Sequence, residues 1–149
     1  MRGAIFNSLG DINSLSVLDA FSGSGAISLE AVSRGAMMSA AVEMNKRAQS
    51  DIAENIKKLD TKGQITLVEA NLYKWLETSD DKYDIIIADP PYDDVSINKL
   101  ICLEDHLNPK GTLVLSLPPR HELPEFNKII LLTQKNYGDS KLVFYKNNL

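Results

Sequence analysis

The chain has 149 residues, 44% of them hydrophobic and 24% charged, which fits one domain over residues 1–149 with a real core and no room for a second. Its net charge of −4 and pI of about 5.1 argue against a strong non-specific hold on nucleic acid, because phosphate contacts need clustered Lys and Arg. A single cysteine, Cys102, excludes an intrachain disulfide framework and a thiolate metal cluster, and no apolar stretch approaches the length of a membrane span. The opening Met1-Arg2-Gly3-Ala4-Ile5-Phe6 lacks the apolar core of a secretory signal, so a soluble, cytoplasmic protein without membrane contact is expected.

Apolar β-rich runs alternate with helical patterns from end to end, the signature of an α/β fold with a mostly parallel sheet and helices on both faces. Residues 2–9 predict a short helix and 16–20 a first strand. The turn Phe21-Ser22-Gly23-Ser24-Gly25 then leads into a helix to about residue 34, stopped by Gly35. A carboxylate, Asp19, ends that first strand, and the two glycines let backbone approach a ligand closely. Ser28 stands where the full dinucleotide pattern needs its third glycine, and an acid would repel a pyrophosphate. A cofactor with an amino-acid end, whose ammonium suits Asp19, fits better than a dinucleotide. The bland alternative is a merely tight turn between strand and helix.

Residues 38–42 read as a second strand ending at Glu43, where a carboxylate can accept both ribose hydroxyls of a nucleoside, with Met44 beside it. Residues 46–59 predict an amphipathic helix, on which Lys46, Arg47, Lys57 and Lys58 read with Lys62 as a solvated face. Arg34 is open to a structural or an RNA-binding role. Residues 64–68 predict a third strand. Asn71 then caps the next helix, to about residue 77, and has an amide able to meet an adenine edge; Leu72 offers a neighbouring amide and Phe21 apolar cover.

Residues 85–88 read as a buried strand delivering the tetrad Asp89-Pro90-Pro91-Tyr92 to the sheet edge. The prolines fix φ and supply no amide donor, leaving the Pro90 carbonyl and the Asp89 carboxylate as two acceptors for one NH2 group. Tyr92 adds a flat ring, so a planar heteroaromatic with an exocyclic amine suits the loop. The bland reading is a proline-stiffened turn with Asp93 or Asp94 capping a helix over residues 96–106.

Residues 111–116 predict a further strand. Pro118, Pro119 and Pro124 argue against a crossover helix after it, and residues 128–134 and 141–146, joined by a turn-prone stretch at 136–139, predict a closing antiparallel hairpin. His106 and His121 have no metal-ligand spacing, and no metal site is expected.

The stretches VLDAFSGSGAISLEAVSRGA, VEMN and ADPPY together resemble the Rossmann-like S-adenosylmethionine-dependent methyltransferases that act on exocyclic amines. The closer resemblance is to the RsmD family, supported by Arg2 to Asn7, by Leu29 to Ala36 and by Tyr137 to Leu142. It implies a three-layer sandwich with a seven-stranded, mostly parallel sheet, S-adenosylmethionine as cofactor, and methylation of a guanine exocyclic amine in RNA. The source implied is small-subunit ribosomal RNA or an assembling small subunit, and a monomer is expected. Asp19 and the turn through Gly25 would hold the methionine part of the cofactor, Glu43 its ribose and Asn71 its adenine, while Asp89 through Tyr92 would hold the target base. DNA, a protein amide, or cofactor binding without catalysis are the competing readings. Two departures stand out: family members usually carry a basic arm ahead of the opening helix, where this chain begins at Met1, and an acid ending the fifth strand, where it has Ser116-Leu117.

Overall fold

The computed structural model describes residues 1–60, 62–93 and 95–149. Among them are five strands that pair in parallel: β1 (Ser16–Asp19), β2 (Met38–Glu43), β3 (Ile65–Glu69), β4 (Tyr83–Ala88) and β5 (Leu107–Leu117). The last two, β6 (Ile130–Tyr137) and β7 (Ser140–Lys146), form the antiparallel hairpin, and β7 inserts antiparallel beside β5. The resulting order is β3-β2-β1-β4-β5-β7-β6. The mixed sheet expected from the sequence is present.

Alternation along each strand feeds two cores. Val17, Ile85, Ile87, Val114, Leu142 and Phe144 meet Ile5 and Phe6 of α1 (Arg2–Leu9) and Ala31 of α2 (Ala26–Ser33) on one face. Leu18, Ile86, Leu113, Leu115 and Val143 meet Leu72 and Leu76 of α4 (Leu72–Thr78) on the other. Ile85, Ile86 and Ile87 are each 3% exposed or less, which is why this stretch of β4 reads as an unbroken apolar run rather than an alternating one. Each such side chain stabilises the fold by about 1.5–3 kcal/mol on burial. The helix α3 (Lys46–Leu59) starts at Asn45, whose side chain accepts the Ala48 amide, and buries Ile52 while its lysines face solvent. None of the described helices is long and apolar enough to cross a membrane.

Three expectations need adjusting. The helix expected over residues 96–106 is α-helical only over α5 (Ile97–Leu100) and continues as a tighter 3-10 segment, Ile101–His106. Leu100 and Leu103 are both buried, and their three-residue spacing lies on one line of a 3-10 helix. Glu104 is also drawn inward to accept the Asn127 and Lys128 amides. Ser96 is the N-cap of α5, so Asp93 is not, and Asp94 lies outside the described residues. The strand expected at 111–116 begins at Leu107 and passes a register shift opposite Tyr83 and Ile85.

A polar clamp holds the base of the sheet. Asp84 Oδ2 accepts the Ser16 amide at 2.9 Å and its hydroxyl at 3.2 Å, and Oδ1 accepts Asn108 Nδ2 at 3.1 Å, joining β1, β4 and β5. Asp84→Ala leaves the Ser16 amide without its partner and is expected to cost about 2 kcal/mol in urea denaturation, with Asp84→Asn recovering part of it.

Candidate active site

The Asp19 carboxylate at the end of β1 is 2% exposed, and its Oδ2 accepts the Ser22 hydroxyl at 2.8 Å and the Ser28 hydroxyl at 2.9 Å. Ser28 is also 2.8 Å from the Ser39 hydroxyl of β2, so with its own proton given to Asp19 it accepts from Ser39. Burial pushes the Asp19 pKa up to about 6; the serine hydrogen bonds oppose the rise, and the nearby Asp89 charge adds a little to it. The departure from the dinucleotide pattern at Ser28 thus has a physical use, since a glycine there has no hydroxyl to offer a buried acid.

The turn above Asp19 is laced to β2. The Ser22 amide donates to the Val42 carbonyl at 2.9 Å and the Gly23 amide to Glu43 Oε1 at 2.7 Å. Gly25 caps α2 in the left-handed region at φ 83°, and a Cβ there would come within 3.2 Å of Ile52 Cγ2. The Ser24 carbonyl accepts Asn55 Nδ2 at 3.2 Å. Glu43 Oε2 accepts the Asn45 amide at 2.9 Å, so each of its oxygens already holds one backbone donor and keeps lone pairs for more. Asn71 Oδ1 caps α4 by accepting the Tyr73 and Lys74 amides, and its Nδ2 lies 3.4 Å from Met44 Sδ. Capping through Oδ1 thus leaves Nδ2, with two protons and one sulfur partner, a donor to spare.

These ends converge on a cavity of about 430 Å³ at the carboxyl ends of β1, β2 and β4. Its wall includes Phe21, Gly23, Glu43, Met44, Asn71, Leu72, Asp89, Pro90 and Pro91. The expected site residues Asp19, Ser22, Ser24, Gly25 and Tyr92 lie outside that wall: the first four shape the turn, and Tyr92, 40% exposed, places its hydroxyl 2.8 Å from Ser116 Oγ. Asp89 is open to solvent, yet the protein around it raises its carboxyl pKa above the usual range, opposed by the Ser116 hydroxyl.

Tyr73, Ser96 and Lys99 also line the cavity, and sequence reasoning missed them. Tyr73 meets Phe21 edge-on at 6.2 Å, and Lys99 Nζ stands 5.6 Å from the Tyr73 ring centre. Closeness to Asn71 gives a weak signal for Tyr73; Lys99 had none, because a lone lysine on the helix expected over residues 96–106 reads as a solvated charge. Arg34 has a structural contact in its pairing with Glu30 at 2.9 Å, and its guanidinium lies 5.3 Å from the Phe6 ring centre.

A larger groove of about 640 Å³ lies between Arg2, Glu30 and Lys62, but its acids are spent: Glu30 on Arg34, Asp60 on the Gln64 and Ile65 amides. The smaller cavity alone joins strand-end acids, glycine turn and tetrad.

The family model described as conserved hypothetical protein 95 matches residues 1–146. The chain belongs to that family. It is an RsmD-like member of the Rossmann-fold, S-adenosylmethionine-dependent methyltransferases. Ribosomal RNA small subunit methyltransferase D of Buchnera aphidicola subsp. Baizongia pistaciae is 35% identical over 105 residues, 69% of this chain and 53% of that protein. The protein of the same name from Escherichia coli K12 is 32% identical over 93 residues, 62% of this chain and 46% of its own. The chain thus spans about half the length of these curated relatives. A solved Streptococcus pyogenes structure, described as a conserved hypothetical protein, is 32% identical with a TM-score of 0.89, covering 99% of this chain and 95% of that one.

The raised Asp19 pKa sets a pH signature. Between about pH 4 and pH 6 the folded chain holds a proton on Asp19 that the unfolded chain has released, so this group's contribution to stability falls as pH rises through that window. Asp19→Asn, which keeps an acceptor for Ser22 and Ser28, is expected to gain on the wild type across the same window, by up to about 3 kcal/mol at pH 7. Urea denaturation of both proteins from pH 4 to pH 8 measures the difference.

Proposed function

We propose that this chain transfers a methyl group from S-adenosylmethionine to the exocyclic amine of a guanine in RNA, the expected source being small-subunit ribosomal RNA or an assembling small subunit. The observation that carries the reading is the single cavity in which Glu43 and Asn71 face the Asp89-Pro90-Pro91 wall. When bound, the cofactor supplies an electrophilic methyl on a sulfonium. The residues present fit it: Glu43 has lone pairs left for ribose hydroxyls, Asn71 an amide for an adenine edge, and Phe21, Met44 and Leu72 apolar surface. The volume is within the usual range for a ligand pocket. Asp19 acts on the methionine part through the turn it holds from beneath.

A guanine amine is a poor nucleophile because its lone pair is delocalised into the ring. Hydrogen bonds from the NH2 group to Asp89 and to the Pro90 carbonyl favour a more pyramidal nitrogen and aim its lone pair across the cavity. Tyr92 offers the extruded base a ring to stack on, offsetting part of the few kcal/mol lost on unstacking. Asp89 then accepts the proton released once the new bond has formed, which requires it ionised beforehand. A monomer working in the cytoplasm is part of the same proposal.

Incubation with labelled cofactor and RNA, DNA or protein tests the acceptor class, and label in RNA is the expected result. Label in DNA or protein alone would overturn the choice, and tight binding of S-adenosylhomocysteine without transfer to any acceptor would leave a binding module. Asp89→Ala is expected to lower kcat at least about a hundredfold with little change in S-adenosylhomocysteine affinity. Glu43→Ala should do the reverse, weakening that affinity about tenfold or more by calorimetry.

A further inference from the structure

The two side chains read as meeting the target base, Asp89 as an acceptor for its amine and Tyr92 as a stacking ring, are both open to solvent, and exposed side chains do not hold a geometry by themselves. Both touch the same buried group. Ser116, 1% exposed, is the second-last residue of β5, and the register that pairs Ala88 with Leu115 sets it beside Asp89. On its other side it pairs with Leu142 of β7, so its backbone is held there by a neighbouring strand. A buried hydroxyl is costly unless it is hydrogen-bonded, and the partner here is Tyr92 Oη at 2.8 Å, while the Asp89 carboxylate beside it feels the same hydroxyl, which works to lower its pKa.

We propose that Ser116 is a positioning residue of the acceptor site, tying the Tyr92 ring and the Asp89 carboxylate into one fixed relation. The proposal rests on the reading of Asp89 as an acceptor for the target amine and of Tyr92 as the ring its base stacks on. The proton count fixes the direction of the tie. An ionised carboxylate only accepts, so Ser116 gives its single proton to Asp89 and accepts the Tyr92 proton in turn. The hydroxyl thereby favours the ionised Asp89, the state that can accept from an NH2 group, and holds Tyr92 to the same strand end. The hydroxyl opposes the effect of burial on Asp89, while Asp19 at the end of β1 and Glu43 at the end of β2 are like charges near it. Lys99 on α5 lines the same cavity, and Asp93 follows the tetrad directly.

Two measurements on the wild type, Ser116→Ala, Ser116→Thr and Tyr92→Phe test the tie. A carboxyl carbon NMR titration should show the Asp89 pKa raised in Ser116→Ala by about half a unit or more, and restored toward wild type in Ser116→Thr. In methyl transfer to RNA, the acid limb of the pH profile should move to higher pH in Ser116→Ala, because activity is lost as Asp89 takes up a proton. The kcat should fall about tenfold while S-adenosylhomocysteine affinity stays within about twofold. Tyr92→Phe, altered at an exposed position, should lower kcat or raise KM for RNA without moving the cofactor affinity. An Asp89 titration and kcat unchanged in Ser116→Ala overturn the proposal. If that variant does not fold, unchanged kcat and KM in Tyr92→Phe overturn it instead. A wild type that methylates no RNA removes the functional reading alone, because the titration still decides whether Ser116 holds Asp89.

Discussion

β1 pairs in parallel with β2 on one side and β4 on the other, and between those neighbours the chain reverses its direction of travel across the sheet. Connections leaving β1 and β4 therefore turn to opposite faces, and a crevice opens where they part. Each candidate group reaches that crevice by ending a strand: Asp19 closes β1, Glu43 closes β2, and Asp89 follows β4 directly. The apolar core fixes where those ends lie. Sliding β4 by one residue would turn Ile85 and Ile87 away from one core and Ile86 from the other, and would carry Asp89 out of the crevice as well. Packing and function are set by the same register.

Within that frame the site uses its carboxylates in different ways. Asp19 is buried and answered by serine hydroxyls rather than by a cation, a costly arrangement that its raised pKa records. The cost brings rigidity, since Ser22 belongs to the turn, Ser28 to α2 and Ser39 to β2, and one buried acid orients the first two directly and the third through Ser28. Glu43 takes the opposite course, staying partly open while two backbone amides hold its plane. A group that shapes a loop is best buried. One that must meet a ligand is best held but accessible.

The periodic parts of this were legible in the sequence because burial on both faces writes itself into residues 85–88, and an amphipathic stripe into α3, whose ends match the expected 46–59. Asn71 was legible as a cap because capping is local chemistry. The 3-10 segment after α5 was not, because its tightening depends on Glu104 reaching the amides of residues 127 and 128, a contact more than twenty positions away. The same applies to Ser116 and Lys99. Ser116 stood out only as a departure from the family's strand-end acid and nothing near Lys99 marks it, and each gains its place only when β5 and α5 are folded against the tetrad. Tyr92 shows the reverse limit: the tetrad was read as a unit, yet its ring stands outside the cavity wall and is anchored through its hydroxyl to another strand.

The charges around the cavity bear on the order of events under the proposed chemistry. Glu43 and Asp89 line it, Asp19 lies behind it, and among the described residues of its wall Lys99 is the cation. Partly screened from water, such a set favours a ligand that carries positive charge over one that does not. A sulfonium cofactor is a cation at sulfur, and the thioether left after methyl loss is neutral there. The same carboxylates that favour the donor therefore hold the spent form less strongly. Transfer also leaves a proton beside Asp89, and taking it up cancels one of the negative charges, which weakens the hold on the remaining amino-acid end further. Under the proposed chemistry, methyl loss would thus remove the charge at sulfur that the strand-end acids attract.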